Sequence, residues 1–314
     1  MGLLDRALDA SIALSFDRSG FERHAKRFDA GDLEVSMEGR TCLVTGANRG
    51  LGLALATGLA KRRATVHLLC RSESRGRAAR DQIVQLTGNE AVHVHEVDMA
   101  SLASIRGFVE RFDAPAVDVL VHNAGLLPAQ RSLSPEGFEL TVAVHVLGPF
   151  ALTEGLAPRL SGGRVIFVTS GGMYAKRLDV DSMLDTSGRY DGVSAYAMTK
   201  RAQVVLAEQW AERLRASGTV VHSMHPGWAA TPGVRTSLPR FWKAMEGRLR
   251  TPEQGADTAL WLAVADEPMR STGKLWFDRE PAATYRLPFT RESAQQRERL
   301  WQLGRSFVGD DLDD

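Results

Sequence analysis

The sequence predicts an α/β fold: a doubly wound parallel sheet of about seven strands with helices on both faces, preceded by an N-terminal helical arm. Three observations predict it. Short apolar runs alternate with stretches of helical periodicity, the pattern left by strands buried on both faces. The first run leads through a glycine-rich turn into a helix, as in a nucleotide-binding β-α-β unit. No repeat, low-complexity tract or shift of composition divides the chain, so residues 40–314 read as one domain and residues 1–39 as the arm.

In the arm, Leu3, Leu4, Ala7, Leu8, Ile12 and Phe16 recur at steps of three and four, which describes an amphipathic helix. A mixed stretch around Phe21, His24 and Phe28 then enters the polar link Asp29-Ala30-Gly31-Asp32. The arm either packs on the main domain or meets a membrane surface or partner, and the acids on its polar face speak against anionic lipid.

The first strand is 41–45, and the helix after it, 53–63, ends in Lys61-Arg62-Arg63, cations that answer the helix dipole. A second strand at 66–69 precedes a polar helix over 74–86, and a third at 92–97 precedes a helix over 101–112 with Ser101 as N-cap. The fourth strand is 117–121. A long helical region with a candidate N-cap at Ser134 runs to about Leu160. Strands at 164–169, 220–224 and 274–277 and helices at 195–216 and 252–265 complete the alternation.

The chain has 314 residues, 44% hydrophobic and 25% charged, and at this length a core forms without staples. Lys plus Arg number 39 against 38 Asp plus Glu, a net charge of +1 with no basic face, so nucleic acid is not an expected partner. Cys42 and Cys70 make no disulfide framework and fit reduced thiols in a cytoplasmic protein. No uninterrupted apolar run reaches the ~18 residues of a transmembrane helix, and Asp5 and Asp9 interrupt any signal-peptide core. His93 with His95 and His222 with His225 lack a third converging ligand, so no metal is expected.

Two constellations carry chemistry. The first is Thr45-Gly46-Ala47-Asn48-Arg49-Gly50-Leu51-Gly52, where glycines let the chain turn sharply and bring backbone amides to a pyrophosphate at a helix N-terminus. The second strand ends Cys70-Arg71-Ser72, with no acid in the place that commonly holds the ribose 2′-hydroxyl of NAD. Arg71, with Arg49 and the Ser72 hydroxyl, suits the 2′-phosphate of NADP. The second constellation is Tyr196-Ala197-Met198-Thr199-Lys200, a phenol and an ammonium one helical turn apart. A nearby cation favours the phenolate and would bring a group of pKa about 10 toward acid–base use near neutrality. Ser170 closes the fifth strand at the same sheet edge and can hold a carbonyl oxygen for Tyr196 to protonate.

On these motifs the sequence resembles the short-chain dehydrogenase/reductase family, with a Rossmann-like fold, over about residues 39–278. Thr45, Gly46, Gly50 and Gly52 match the family's glycine motif, and Asn123-Ala124-Gly125 its N-A-G after the fourth strand. The resemblance implies that Ser170, Tyr196 and Lys200 are the catalytic serine, tyrosine and lysine. It implies that Asp98, followed by Met99, contacts the adenine, and that Pro226-Gly227-Trp228 with Thr231 holds the nicotinamide carboxamide. It implies hydride transfer between nicotinamide and a carbonyl or alcohol carbon, with Tyr196 as acid–base, Ser170 orienting the oxygen and Lys200 binding the nicotinamide ribose. The arm and the stretches 168–173, 225–228, 231–235, 254–258 and 277–279 resemble one subgroup more closely.

One departure concerns Val144-His145-Val146-Leu147-Gly148, where the family usually carries Asn in place of His145. His145 either joins the proton relay or is a packed core histidine. With the additional arm, it keeps a second reading open: a catalytically weak NADP(H)-binding sensor or scaffold. On the substrate side, Met173, Tyr174 and Met183, and the loop carrying Leu238, Phe241, Trp242, Met245 and Leu249, suggest either a lipophilic carbonyl or alcohol substrate or plain packing. The family resemblance allows a homo-oligomer through the two long central helices.

Overall fold

The computed structural model describes residues 12–286 and 288–309. Most of the predicted arm helix lies outside the described residues. Its end is present as α1 (Ile12–Phe16), followed after Asp17 by α2 (Arg18–Ala25). Asp17 separates the two because its carboxylate accepts the Gly20 N–H and caps the second helix.

One mixed sheet organises the chain, in the order β3-β2-β1-β4-β5-β6-β7-β8. Its strands are β1 (Thr41–Thr45), β2 (Thr65–Cys70), β3 (Val92–Glu96), β4 (Val119–His122), β5 (Arg164–Val168), β6 (Val220–Met224), β7 (Leu275–Phe277) and β8 (Glu280–Ala282). Neighbours are parallel except the β7–β8 hairpin. The helices are α3 (Gly50–Lys61), α4 (Glu73–Thr87), α5 (Leu102–Arg111), α6 (140–156), α7 (Val180–Leu184), α8 (Gly192–Arg213), α9 (Pro232–Ser237), α10 (Pro239–Ala244), α11 (Pro252–Val264) and α12 (Ala294–Val308).

Strand alternation assigns each side chain to a face. Cys42 and Val44 point to a core shared with α3, α4 and α11, whereas Leu43 points to a larger core shared with α5, α6, α8 and α12. Because strand order reverses between β1 and β4, a crevice opens at their carboxyl ends, where such sheets bind ligands.

The structure corrects two sequence expectations. The sheet has eight strands rather than about seven; β8 is three residues long and contains Pro281, which only an edge strand tolerates. Its hairpin turns through Asp278 and Arg279, both at positive φ (49° and 60°). Ion pairs of Arg250 with Asp278 (2.6 Å) and Arg279 with Asp257 (2.7 Å) hold that turn. Secondly, α6 starts at Leu140, not at Ser134: the Glu139 carboxylate caps it by accepting the Thr141 and Val142 N–H groups. Ser134 instead closes a small antiparallel turn in which its own N–H donates to Phe138 O at 2.7 Å. The helical stretch Leu140–Arg159 is long and apolar enough to cross a membrane, and 78% of its most apolar window is buried inside the fold.

The helix α12 lies across α6 and α8. Phe150, Trp210 and Trp301 form a ring cluster with centroids 4.8–5.1 Å apart, and Gly304 leaves room for the Phe150 ring. Just before α12, Glu292 meets buried Arg201 of α8 at 2.6 Å.

Candidate active site

At the crevice a cavity of about 720 Å³ opens over the ends of the central strands. The turn 45–52 forms one wall. Gly46 has φ +65°, and a Cβ there would stand 2.9 Å from the Ala124 Cα, so only glycine allows the approach. Asn123 Nδ2 donates to Thr45 O (2.9 Å), and the Thr45 hydroxyl accepts the N–H groups of Asn123 and Ala124 at 2.9 and 3.0 Å. These bonds lock the turn to the end of β4. No side chain caps the start of α3 at Arg49, so its first N–H groups remain available to an anion. A dinucleotide pyrophosphate fits that donor set.

All the predicted cofactor residues line this cavity: Gly46, Asn48, Arg49, Gly50, Leu51, Gly52, Arg71, Ser72, Asp98, Met99, Asn123, Ala124, Gly125, Pro226, Gly227, Trp228 and Thr231. Two of the hydroxyls are already occupied. Ser72 and Thr231 serve as N-caps, accepting from Arg75 N and Val234 N. Arg75, absent from the sequence expectations, joins Arg49 and Arg71 on the wall because it sits one turn into α4. None of the three makes an ion pair with another described residue.

Ser170, Tyr196 and Lys200, far apart in sequence, all line the same cavity. Ser170 follows β5, and its hydroxyl accepts the Gly172 N–H at 3.2 Å. Tyr196 and Lys200 project from α8, with Nζ 5.6 Å from the phenol ring centroid. Burial raises the Tyr196 phenol above its usual range, and a hydrogen bond from Ser170 opposes that rise. The expected lowering of the phenol by Lys200 is therefore not what the site shows. Burial instead pulls Lys200 down to about 7. Its ammonium donates to Val168 O and Gln203 Oε1, both at 2.9 Å.

His145 stands behind this group rather than in it. Its Nε2 accepts the Leu126 N–H at 3.0 Å, and its Nδ1 lies 2.8 Å from the Thr199 hydroxyl. That hydroxyl donates to backbone carbonyls of α8, so Nδ1 carries the proton and the ring is neutral. Burial and the Lys200 charge both keep it neutral. With both nitrogens engaged and the ring fully buried, the geometry favours the packed-histidine reading of His145 over the relay, and the ring holds the Leu126 segment.

The far end of the cavity is apolar. Leu126, Leu127, Pro128, Leu140, Val144 and Val193 face Trp228, Leu238 and Phe241 there. Trp228 and Phe241 meet edge to face at 5.3 Å. Met173, Tyr174, Met183 and Leu249 are buried in the core instead. The charged lining residues are Arg49, Arg71, Arg75, Asp98 and Lys200, all outside this apolar end.

The end of the arm, at Phe16, packs on the main domain and supports two walls. The ring of Phe16 occupies the space that a Cβ on Gly171 would need, and its carbonyl lies 2.6 Å from where a Cβ on Gly227 would stand. The Trp228 N–H donates to Phe16 O at 2.8 Å. Nearby, His225 stacks on Phe277 with centroids 4.1 Å apart, and neither ring nitrogen has a partner among the described residues.

Comparison with known proteins agrees with this geometry. Residues 40–240 match the short chain dehydrogenase family. Dehydrogenase/reductase SDR family member 12 of Bos taurus is 42% identical over 93% of this chain and 95% of its own. Its subgroup is the one that the shorter stretches resembled. Retinol dehydrogenase 11 of Mus musculus is 31% identical over 88% of each chain. Among solved structures, the Pseudomonas aeruginosa RhlG/NADP active-site complex superposes with a TM-score of 0.62 at 25% identity, covering 76% of this chain and 94% of that one.

Proposed function

The chain belongs to the short-chain dehydrogenase/reductase family and is an NAD(P)-dependent oxidoreductase, and we propose that it uses NADP(H) to interconvert an apolar carbonyl compound and its alcohol. The observation that carries this reading is the separation of charge along the cavity. Arg49, Arg71 and Arg75 gather at the β1–β2 end, while the opposite end presents only apolar side chains and neutral polar groups. Guanidinium groups free of carboxylate partners favour a 2′-phosphate. The apolar end favours a substrate whose bulk is hydrocarbon. Similarity to a retinol dehydrogenase and to an NADP complex supports both halves.

When bound, the nicotinamide cofactor supplies the hydride chemistry. The chain supplies the rest. The turn 45–52 and the start of α3 hold the pyrophosphate, and Asp98 meets the adenine. Ser170 donates to the substrate oxygen and keeps it beside the Tyr196 hydroxyl. Burial keeps Tyr196 protonated near neutral pH, so the resting site already holds the proton that carbonyl reduction needs. Lys200 places a positive charge beneath the phenol, which favours the oxyanion left when that proton departs. Trp228, Leu238 and Phe241 exclude water from the reacting end.

Binding titrations with NADPH and NADH test the cofactor half. NADPH should bind at least about tenfold more tightly, and the double variant Arg71→Ala/Arg75→Ala should abolish that preference without weakening NADH. Equal affinities in the parent protein would remove it. A series of aldehydes of increasing chain length tests the substrate half: kcat/KM should rise with length, and a flat series overturns the assignment.

A further inference from the structure

Gln203 lies one turn beyond Lys200 on α8 and is fully buried. Its Oε1 accepts from Lys200 Nζ at 2.9 Å, while its Nε2 has no partner among the described residues. The amide can face the lysine only this way, since an NH₂ group cannot bond an ammonium. An unpaired buried amide nitrogen is a cost that leucine, of similar volume, would avoid at the same position. The polar side chain is thus explained by the one bond it makes. We propose that Gln203 is a positioning residue for Lys200: its carbonyl oxygen fixes the ammonium and stabilises its charge in a pocket where no described residue supplies a counter-ion.

The surroundings of Nζ sustain this. Facing it are Tyr196 from its own helix, neutral His145 from α6, the Val168 carbonyl from β5, and Gly125 after β4. No carboxylate pairs with Lys200 among the described residues, and burial pulls it down to about 7. With so little opposing that pull, the two neutral acceptors decide whether the cation persists at neutral pH. Val168 O and Gln203 Oε1 take two of its three N–H donors. The third is left for the cavity beside Gly125, where a Cβ would come within 3.6 Å of Nζ. A carbonyl on β5 cannot be altered by substitution, so Gln203 is the position at which sequence sets the charge of Lys200.

The inference rests on Lys200 being the cation of the proposed site, but its test does not depend on turnover. In protein carrying lysine labelled with ¹³C at Cε, the Lys200 signal is assigned by its loss in Lys200→Met and titrated without ligands. Gln203→Leu should lower its midpoint by about one pH unit, the size expected for losing one hydrogen bond to a charged group. Gln203→Glu should raise it by a similar amount or more. Where turnover is measurable, the alkaline limb of kcat should move in the same directions while KM for the carbonyl compound stays near that of the parent. A midpoint unchanged in either folded variant overturns the proposal; if Gln203→Leu does not fold, Gln203→Glu alone decides. Failure to reduce any carbonyl compound would count against the proposed function and leave the titration readable.

Discussion

Tyr196 shows how much of this site rests on single atoms. Phe in its place keeps the ring and its edge-to-face contact with His145 (5.4 Å) but removes the phenolic proton that carbonyl reduction draws on. Tyr196→Phe should therefore lower kcat by about 10²–10⁴-fold while NADPH affinity stays within about twofold. Turnover near the parent level with a true substrate would remove Tyr196 from its role. The tyrosine, lysine and serine were legible because one helical turn and one strand end are patterns in sequence. What surrounds them was not. The direction of the Tyr196 shift depends on desolvation, which spacing does not report. Gln203 sits one turn beyond Lys200 on α8 and Arg75 in the first turn of α4 after Arg71, and reading one turn further along would have found both.

The elements were legible in their alternation and less so in their ends. Apolar runs marked seven strands, but β8 is too short and too polar at Glu280 to stand out. Ser134 carried the chemistry of a cap without the position, which the Glu139 carboxylate took. The arm needed coordinates altogether, because nothing in its periodicity says that Phe16 would enter between Gly171 and Gly227. Around Phe16, the rings of His225, Trp228 and Phe277 lie within 4.7–6.0 Å. Phe16→Ala should cost about 3–5 kcal/mol in a denaturant melt, from lost contacts and the cavity left behind. Its effect should reach the substrate wall through Trp228, raising KM for the carbonyl compound more than Kd for NADPH. An unchanged melt would mean that the arm is dispensable to the site.

Across the whole molecule, histidines held neutral by burial set the response to acid. His67, His122 and His225 lie in separate parts of the fold, and desolvation lowers each to about 3. The unfolded chain binds their protons first, at its ordinary pKa of about 6.5. Their contribution to stability is thus complete above that value and is lost as pH falls toward 3. By pH 5 each should have withdrawn about 2 kcal/mol. Urea melts at pH 7 and pH 5 check this, and His225→Phe should narrow the gap between them, since neither ring nitrogen of His225 has a partner to lose among the described residues. Identical melts at the two pH values would show that these rings charge in place.

The position of α12 also bears on how the protein is made. Leu300, Trp301 and Phe307 belong to the same core as Phe150, Trp210 and the strand residues Leu120 and Val165. During synthesis that half of the interior should therefore stay open until residue 308 has cleared the ribosome. Nascent chains stalled before residue 294 should stay open to protease with Phe150 and Trp210 uncovered, and protection gained earlier would show that α12 arrives as a late cover.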